Sequence, residues 1–161
     1  MRLLVTRRMT RAAEETISAA FDASFRDSTT PLTEAEAIAA LRENDAIIPT
    51  LGDPFNATVL GTSDRRARVL ANFGAGFNHI DLQAARAAGI VVTNTPDVVT
   101  DATADIAVML MLMTMRRASE GERILRAGDW TGWNPTQLLG GHLSRRTVGI
   151  VGMGRIGQGI A

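Results

Sequence analysis

The chain has 161 residues, with 45% apolar and 21% charged content and no formal net charge. Disorder needs fewer apolar residues and more net charge, and neutrality leaves no electrostatic footprint for nucleic acid or an acidic membrane. There is no Cys, no Lys and no Tyr, which excludes disulfides, thiolate metal sites, a Schiff-base lysine and the lysine of a P-loop.

The first apolar run, Arg2 to Thr6, predicts a strand, and Thr6-Arg7-Arg8 breaks it too early for a secretory signal. Arg11 to Phe21 has helical spacing with Thr10 as the expected N-cap. Thr33 opens a second helix running to Glu43, and Thr33 followed by Glu36 has the outline of a capping box. Asp45 to Pro49 and Arg68 to Asn72 predict the next two strands. Ile80 to Ala88 reads as a helix closed by Gly89, and Ile90 to Thr93 as a fourth strand. Alternating strands and helices on this short period imply a parallel sheet with helical crossovers, an α/β fold.

After Pro96 the composition shifts. Asp101 to Arg126 predicts one long helix, apolar nearly all round between Ile106 and Met115, and so buried on most faces. The most apolar stretch of the chain, Ala104 to Met115, contains Asp105 and is too short for a membrane span, which takes about 20 residues. A loop rich in Gly and Trp follows from Gly128 to Gly141, then a predicted buried strand, Thr147 to Val151.

That strand runs into Gly152-Met-Gly154-Arg-Ile-Gly157, a GxGxxG. The pattern is weak alone, but between a strand and a helix start it is a dinucleotide fingerprint. Gly152 allows the tight turn, Gly154 lets the backbone approach a pyrophosphate, and Gly157 lets the helix pack on the strand. The amides of Arg155 and Ile156 then face the phosphates, with the Arg155 side chain available for a further contact. The acidic residue that reads the ribose lies about 20 residues beyond such a fingerprint, so the cofactor is NAD or NADP without distinction.

Taken together, Asn72-Phe-Gly-Ala-Gly-Phe-Asn-His-Ile-Asp81, Gly89 to Asp97, Thr100 to Asp105, Trp130 to Pro135 and the glycine fingerprint resemble the N-terminal half of a D-2-hydroxyacid dehydrogenase, in the glyoxylate/hydroxypyruvate reductase branch. The resemblance implies a flavodoxin-like substrate domain at 1–98, then the start of a Rossmann NAD(P)-binding domain at 99–161, doubly wound and truncated. It implies an enzyme that reduces a small 2-oxo acid with NAD(P)H and is a homodimer at full length; the interrupted N-terminal apolar run and the lack of a spanning stretch lead to the expectation of a cytoplasmic protein.

By the same resemblance, the backbone of Ala75 and Gly76 binds the substrate carboxylate and Leu51 lines the pocket. Thr103 contacts the nicotinamide side of the cofactor, and Trp133 lies on a dimerisation arm where an aromatic closes the partner's active site. The family's catalytic Arg, Glu and His lie C-terminal to the fingerprint, so none is expected in this chain and the polypeptide is expected to be inactive alone.

His79 and His142 are read as surface or helix-cap residues rather than catalytic groups. Asp81, Asp97, Asp101 and Asp105 are read as carboxylates near helix starts, with no metal-cage spacing. Rival readings keep the family with another substrate (phosphoglycerate, formate, phosphite or a bulkier 2-oxo acid), or take a dinucleotide-sensing corepressor. A flavodoxin-like receiver is disfavoured, because Arg7-Arg8 stands where a receiver clusters acids.

Overall fold

Leu3 and Val5 alternate with Leu4 along the first strand, β1 (Arg2–Val5), so each face of the sheet receives an apolar side chain from the first residues onward. The structure is a computed structural model describing all 161 residues. The chain divides into two compact units, Met1–Pro96 and Asp97–Ala161.

In the first unit, β1 is followed by α1 (Arg11–Ala20), β2 (Asp22–Phe25), α2 (Glu34–Glu43), β3 (Ala46–Ile48), α3 (Ala57–Leu60), β4 (Val69–Ala71), α4 (Leu82–Ala87) and β5 (Val91–Thr93). The five strands pair in parallel in the order β2-β1-β3-β4-β5, with Leu3 opposite both Ala23 and Ala46, and Ile47 opposite Leu70. This is the flavodoxin-like order, whose topological switch lies between β1 and β3. One face carries the main core, including Leu41, Ile47, Phe55, Val59, Leu60 and Leu70, under α2, α3 and α4. On the other face Leu3, Val5 and Ala46 pack against Met9 and Ile17 of the α1 side.

Local signals explain the helix ends. Thr33 and Glu36 form the capping box in full, each side chain accepting from the other's backbone. Asn56 caps α3 by accepting from Val59 N, and Asp81 caps α4 by accepting from Ala84 N. Gly89 takes a left-handed φ of 69°, its amide donates to Arg86 O, and Ile90 N donates to Ala85 O, which is a Schellman motif. Thr10 occupies the N-cap of α1, but its side chain caps nothing; Glu14 instead accepts from Met9 N at 2.8 Å.

Two elements of this unit escaped the sequence reading. β2 is an edge strand, Asp-Ala-Ser-Phe, with alternating exposure and no β-branched residue. Its pairing with β1, rather than its own propensity, makes it a strand. α3 is a single turn with Asn56 as its only local signature.

The second unit holds α5 (Thr100–Met115), α6 (Ala118–Ala127) and α7 (Arg155–Ile160). It corrects three expectations. The helix expected from 101 to 126 is two helices, broken where Arg117 adopts a left-handed φ of 53°. Thr147 to Val151 is not a strand, because a parallel strand exists only through a hydrogen-bonded neighbour and the second unit contains none. α5 is not buried on most faces: only Ala104 is buried, while Ile106 is 51% and Leu110 53% exposed. Within this unit α5 is covered only by α6, α7 and the segment that includes Leu143 and Val148. No helix is long and apolar enough to cross a membrane.

Candidate functional site

Ligands of open parallel sheets sit outside the carboxyl ends of the strands at the switch point. In the first unit that place holds a cavity of about 670 Å³, lined by residues that follow β1 (Arg7, Met9), β3 (Thr50, Leu51) and β4 (Phe73). Leu51 is 65% exposed and hangs at its edge; a Cβ placed on Gly74 would touch Leu51 Cδ2 at 3.8 Å.

The floor is a buried polar knot that sequence reasoning missed. Asp53 is fully buried with Thr6. Its Oδ2 accepts from Thr6 Oγ1 at 2.5 Å and Thr50 N at 2.8 Å; its Oδ1 accepts from Leu32 N at 2.9 Å and Arg7 Nη1 at 3.3 Å. Burial alone would raise the Asp53 carboxyl, but the donors from Thr6, Leu32 and Thr50 and the Arg7 guanidinium outweigh it and hold the group below the usual carboxylate range. The carboxylate therefore ties the loops after β1 and β3 to the entry of α2. Gly52-Asp53-Pro54 carried only a turn signal in the sequence.

Beside this knot runs the loop from Asn72 to His79. The amides of Ala75 and Gly76 have no acceptor within the chain, and a Cβ on Gly76 would meet nothing within 4 Å. Asn72 is 2% exposed; its Nδ2 donates to Gly74 O at 3.0 Å and to Gly76 O at 2.9 Å. Its Oδ1 lies 3.0 Å from His79 Nε2. His79 is thus neither a surface residue nor a cap, correcting the sequence expectation. It is half-buried, and burial lowers its pKa, opposed by the Asp53 charge. His142 is exposed, and its Nδ1 accepts from Arg116 Nη1 at 3.2 Å.

The nearby cations are already engaged. Arg7 is paired with Asp53, and Arg8 with Glu14 at 2.6 Å. The free donors of the loop are main-chain amides.

In the second unit the fingerprint turn takes the shape its glycines allow. Gly152 has a left-handed φ of 98°. A Cβ on Gly157 would overlap the carbonyl oxygen of Gly152, so only glycine fits where α7 folds back on the turn. Gly154 is the N-cap of α7, and a Cβ there would meet nothing within 4 Å. The first backbone bond onto Gly154 O comes from Gln158 N, which leaves the amides of Arg155, Ile156 and Gly157 without helical partners. A backbone cradle open at Gly154, with three unpartnered amides, fits a dinucleotide pyrophosphate. The Arg155 side chain does not stand free at this helix end; its Nε pairs with Asp97 Oδ1 at 2.6 Å.

Thr103 lies exposed on α5, and its hydroxyl makes no hydrogen bond to the backbone. Gly159 of α7 sits against the first turns of α5, its position 3.4 Å from Ala104 Cβ and Thr100 Cγ2 when a Cβ is placed on it. Trp130 and Trp133 meet edge to face with ring centroids 5.0 Å apart, yet Trp133 is 92% exposed and anchors nothing within the chain.

Residues 3–151 match the family described as D-isomer specific 2-hydroxyacid dehydrogenase, catalytic domain. The chain belongs to this family. It is 34% identical over 164 residues to a glyoxylate reductase of Thermococcus onnurineus, covering 99% of this chain and 49% of that protein. It is 36% identical over 160 residues to a glycerate dehydrogenase of Hyphomicrobium methylovorum, covering 99% and 50%. Among solved structures, a D-isomer-specific 2-hydroxyacid dehydrogenase of Polaromonas superposes with a TM-score of 0.90 at 38% identity, over 99% of this chain and 50% of that one. An NADPH-dependent glyoxylate/hydroxypyruvate reductase of Sinorhizobium meliloti, solved with NADP and malonate, gives a TM-score of 0.77 at 33% identity, over 99% and 48%. This family member spans about half the length of the curated relatives it matches.

Proposed function

We propose that the chain is the N-terminal half of an NAD(P)-dependent oxidoreductase that reduces a small 2-oxo acid, glyoxylate or hydroxypyruvate, to the D-2-hydroxy acid. The observation that carries this is the pair of unpartnered amides at Ala75 and Gly76, beside a cavity at the switch point of a flavodoxin-like sheet, in a chain that also holds a glycine fingerprint. Two neutral amides suit a carboxylate, since each gives it a hydrogen bond without bringing in a competing charge. Leu51 supplies an apolar wall at the cavity's edge.

In the second unit Gly152, Gly154 and Gly157 shape the cradle for NAD or NADP. The amides of Arg155 and Ile156 face its pyrophosphate, and Thr103 contacts its nicotinamide side. When bound, the dinucleotide supplies the hydride for reduction of the 2-oxo carbon. The Arg155 side chain serves this site by holding Asp97, rather than by reaching a phosphate itself. Trp133, exposed on its loop, is available to a second copy in a homodimer, as is the apolar surface of α5.

The 161-residue chain alone is proposed to be inactive, and the test separates binding from turnover. Titrating glyoxylate into ¹⁵N-labelled protein should shift the amides of Ala75 and Gly76, and titrating NADH or NADPH those of Gly154 to Gly157, with no oxidation of the reduced dinucleotide when both are present. Shifts confined to other residues would overturn the site assignment. Turnover would overturn the inactivity.

A further inference from the structure

We propose that Asn72 and Asn94 are positioning residues that aim the amides of Ala75 and Gly76 at the substrate carboxylate; this rests on reading the loop as the carboxylate site. A trans peptide group is planar, with its C=O and N–H pointing in opposite directions. Whatever grips a carbonyl therefore also sets the direction of the next residue's N–H.

Each relevant carbonyl is gripped. Gly74 O accepts from Asn72 Nδ2 at 3.0 Å and from Thr95 N at 3.1 Å, so the Ala75 amide faces away from both. Ala75 O accepts from Asn94 Nδ2 at 2.9 Å, so the Gly76 amide faces away from Asn94. Gly76 O takes the second proton of Asn72 Nδ2 at 2.9 Å, which fixes the far end of the same segment.

The amide of Asn72 can adopt only one orientation here. Turned over, it would set its oxygen against two carbonyl oxygens. With both protons of Nδ2 committed, Oδ1 faces His79, and His79 Nε2 must carry the ring proton. An Asp at this position would offer acceptors only. The glycines do not hold the loop's shape: neither Gly74 nor Gly76 has a left-handed φ, and Gly76 has open space where a Cβ would be. Asn72 and Asn94 stand 22 residues apart in sequence, one after β4 and one after β5, so the parallel pairing of those strands brings both to this loop.

Asn94 is the better residue to test, because it is exposed and its loss leaves no buried group unpaired. In the 161-residue chain, Asn94→Ala should weaken glyoxylate binding about 5- to 10-fold, the worth of one oriented hydrogen bond. The glyoxylate-induced shift of the Gly76 amide should shrink while the thermal midpoint stays unchanged. Asn94→Gln, which keeps a donor, should recover part of the loss.

Glyoxylate binding to Asn94→Ala as tight as to wild type, with the Gly76 shift intact, would overturn the positioning role and leave the carboxylate site standing. A second measurement needs no ligand: a through-hydrogen-bond coupling between Asn94 Nδ2 and the Ala75 carbonyl carbon is expected in the wild type, and its absence would overturn the proposal. Glyoxylate shifts that avoid Ala75 and Gly76 in the wild type, with that coupling present, would instead overturn the reading of the loop.

Discussion

The hydroxyl of Thr6 donates to the carboxylate of Asp53 at 2.5 Å, joining the residue just after β1 to the loop that follows β3, with both side chains fully buried. Asp53→Ala would strand the Thr6 hydroxyl, the Leu32 and Thr50 amides and the Arg7 guanidinium, and should destabilise the first unit by about 3 kcal/mol in chemical denaturation. The Asp53 carboxyl titrates below its unfolded value of about 3.9, so its contribution is fully present above that pH and is lost as pH falls through the lowered folded value. Asp53→Asn should therefore reduce stability at neutral pH and flatten the acid limb of the stability profile. An unchanged acid limb would show that the carboxylate is not linked to folding.

The three fingerprint glycines should separate into two kinds. Gly157→Ala forces a Cβ onto the Gly152 carbonyl and should displace α7, moving the amide resonances of Gly152 to Ile160 even without ligand. Gly154→Ala has open space and an ordinary φ of -74°, so it should leave the apo spectrum nearly unchanged and still weaken dinucleotide binding, measured by NADH fluorescence. Equal NADH affinity for Gly154→Ala and wild type would remove the close-approach role of Gly154.

Trp133 makes only the edge-to-face contact with Trp130 and is otherwise open to solvent. Trp133→Ala should change thermal stability by less than about 0.5 kcal/mol, the range expected for an exposed residue. In an active protein of the relatives' length it should relax discrimination between glyoxylate and bulkier 2-oxo acids. Unaltered kcat/KM ratios across such a series would dismiss it as a selectivity residue.

α5 presents Ile106, Val108, Met109, Leu110 and Leu112 with substantial exposure. Contiguous apolar surface of this kind promotes association. Light scattering of the chain should show self-association that weakens in Leu110→Glu, while far-ultraviolet circular dichroism is retained. A monodisperse monomer at high concentration would refute this.

Several features were legible because they are local. Thr33 with Glu36, and Gly89 after its helix, act within one turn of backbone, so the residue types in order were enough to place those helix ends. The fingerprint was legible for the same reason: the left-handed φ at Gly152 and the close approach at Gly157 lie five residues apart. The break of the long apolar helix at Arg117 had no comparable mark, because a left-handed Arg is not a local preference. β2 went unread because an edge strand takes its identity from its neighbour, and Thr147 to Val151 read as a strand that this chain gives no neighbour.

The residues of the candidate carboxylate loop, Ala75 and Gly76, stood in the sequence as a motif; what aims them did not. In sequence Asn72 and Asn94 are ordinary loop asparagines, and His79 reads as a surface or helix-cap histidine. An alternating α/β chain, the helix ends at Thr33 and Gly89 and the glycine turn follow from residue order, since each depends on backbone preferences over a few residues. That β4 and β5 lie side by side, that Asn94 reaches Ala75 O, and that Asp53 closes on Thr6 across 47 residues are tertiary facts. Those contacts depend on directional hydrogen bonds between distant segments, whose geometry exists only once the sheet has formed.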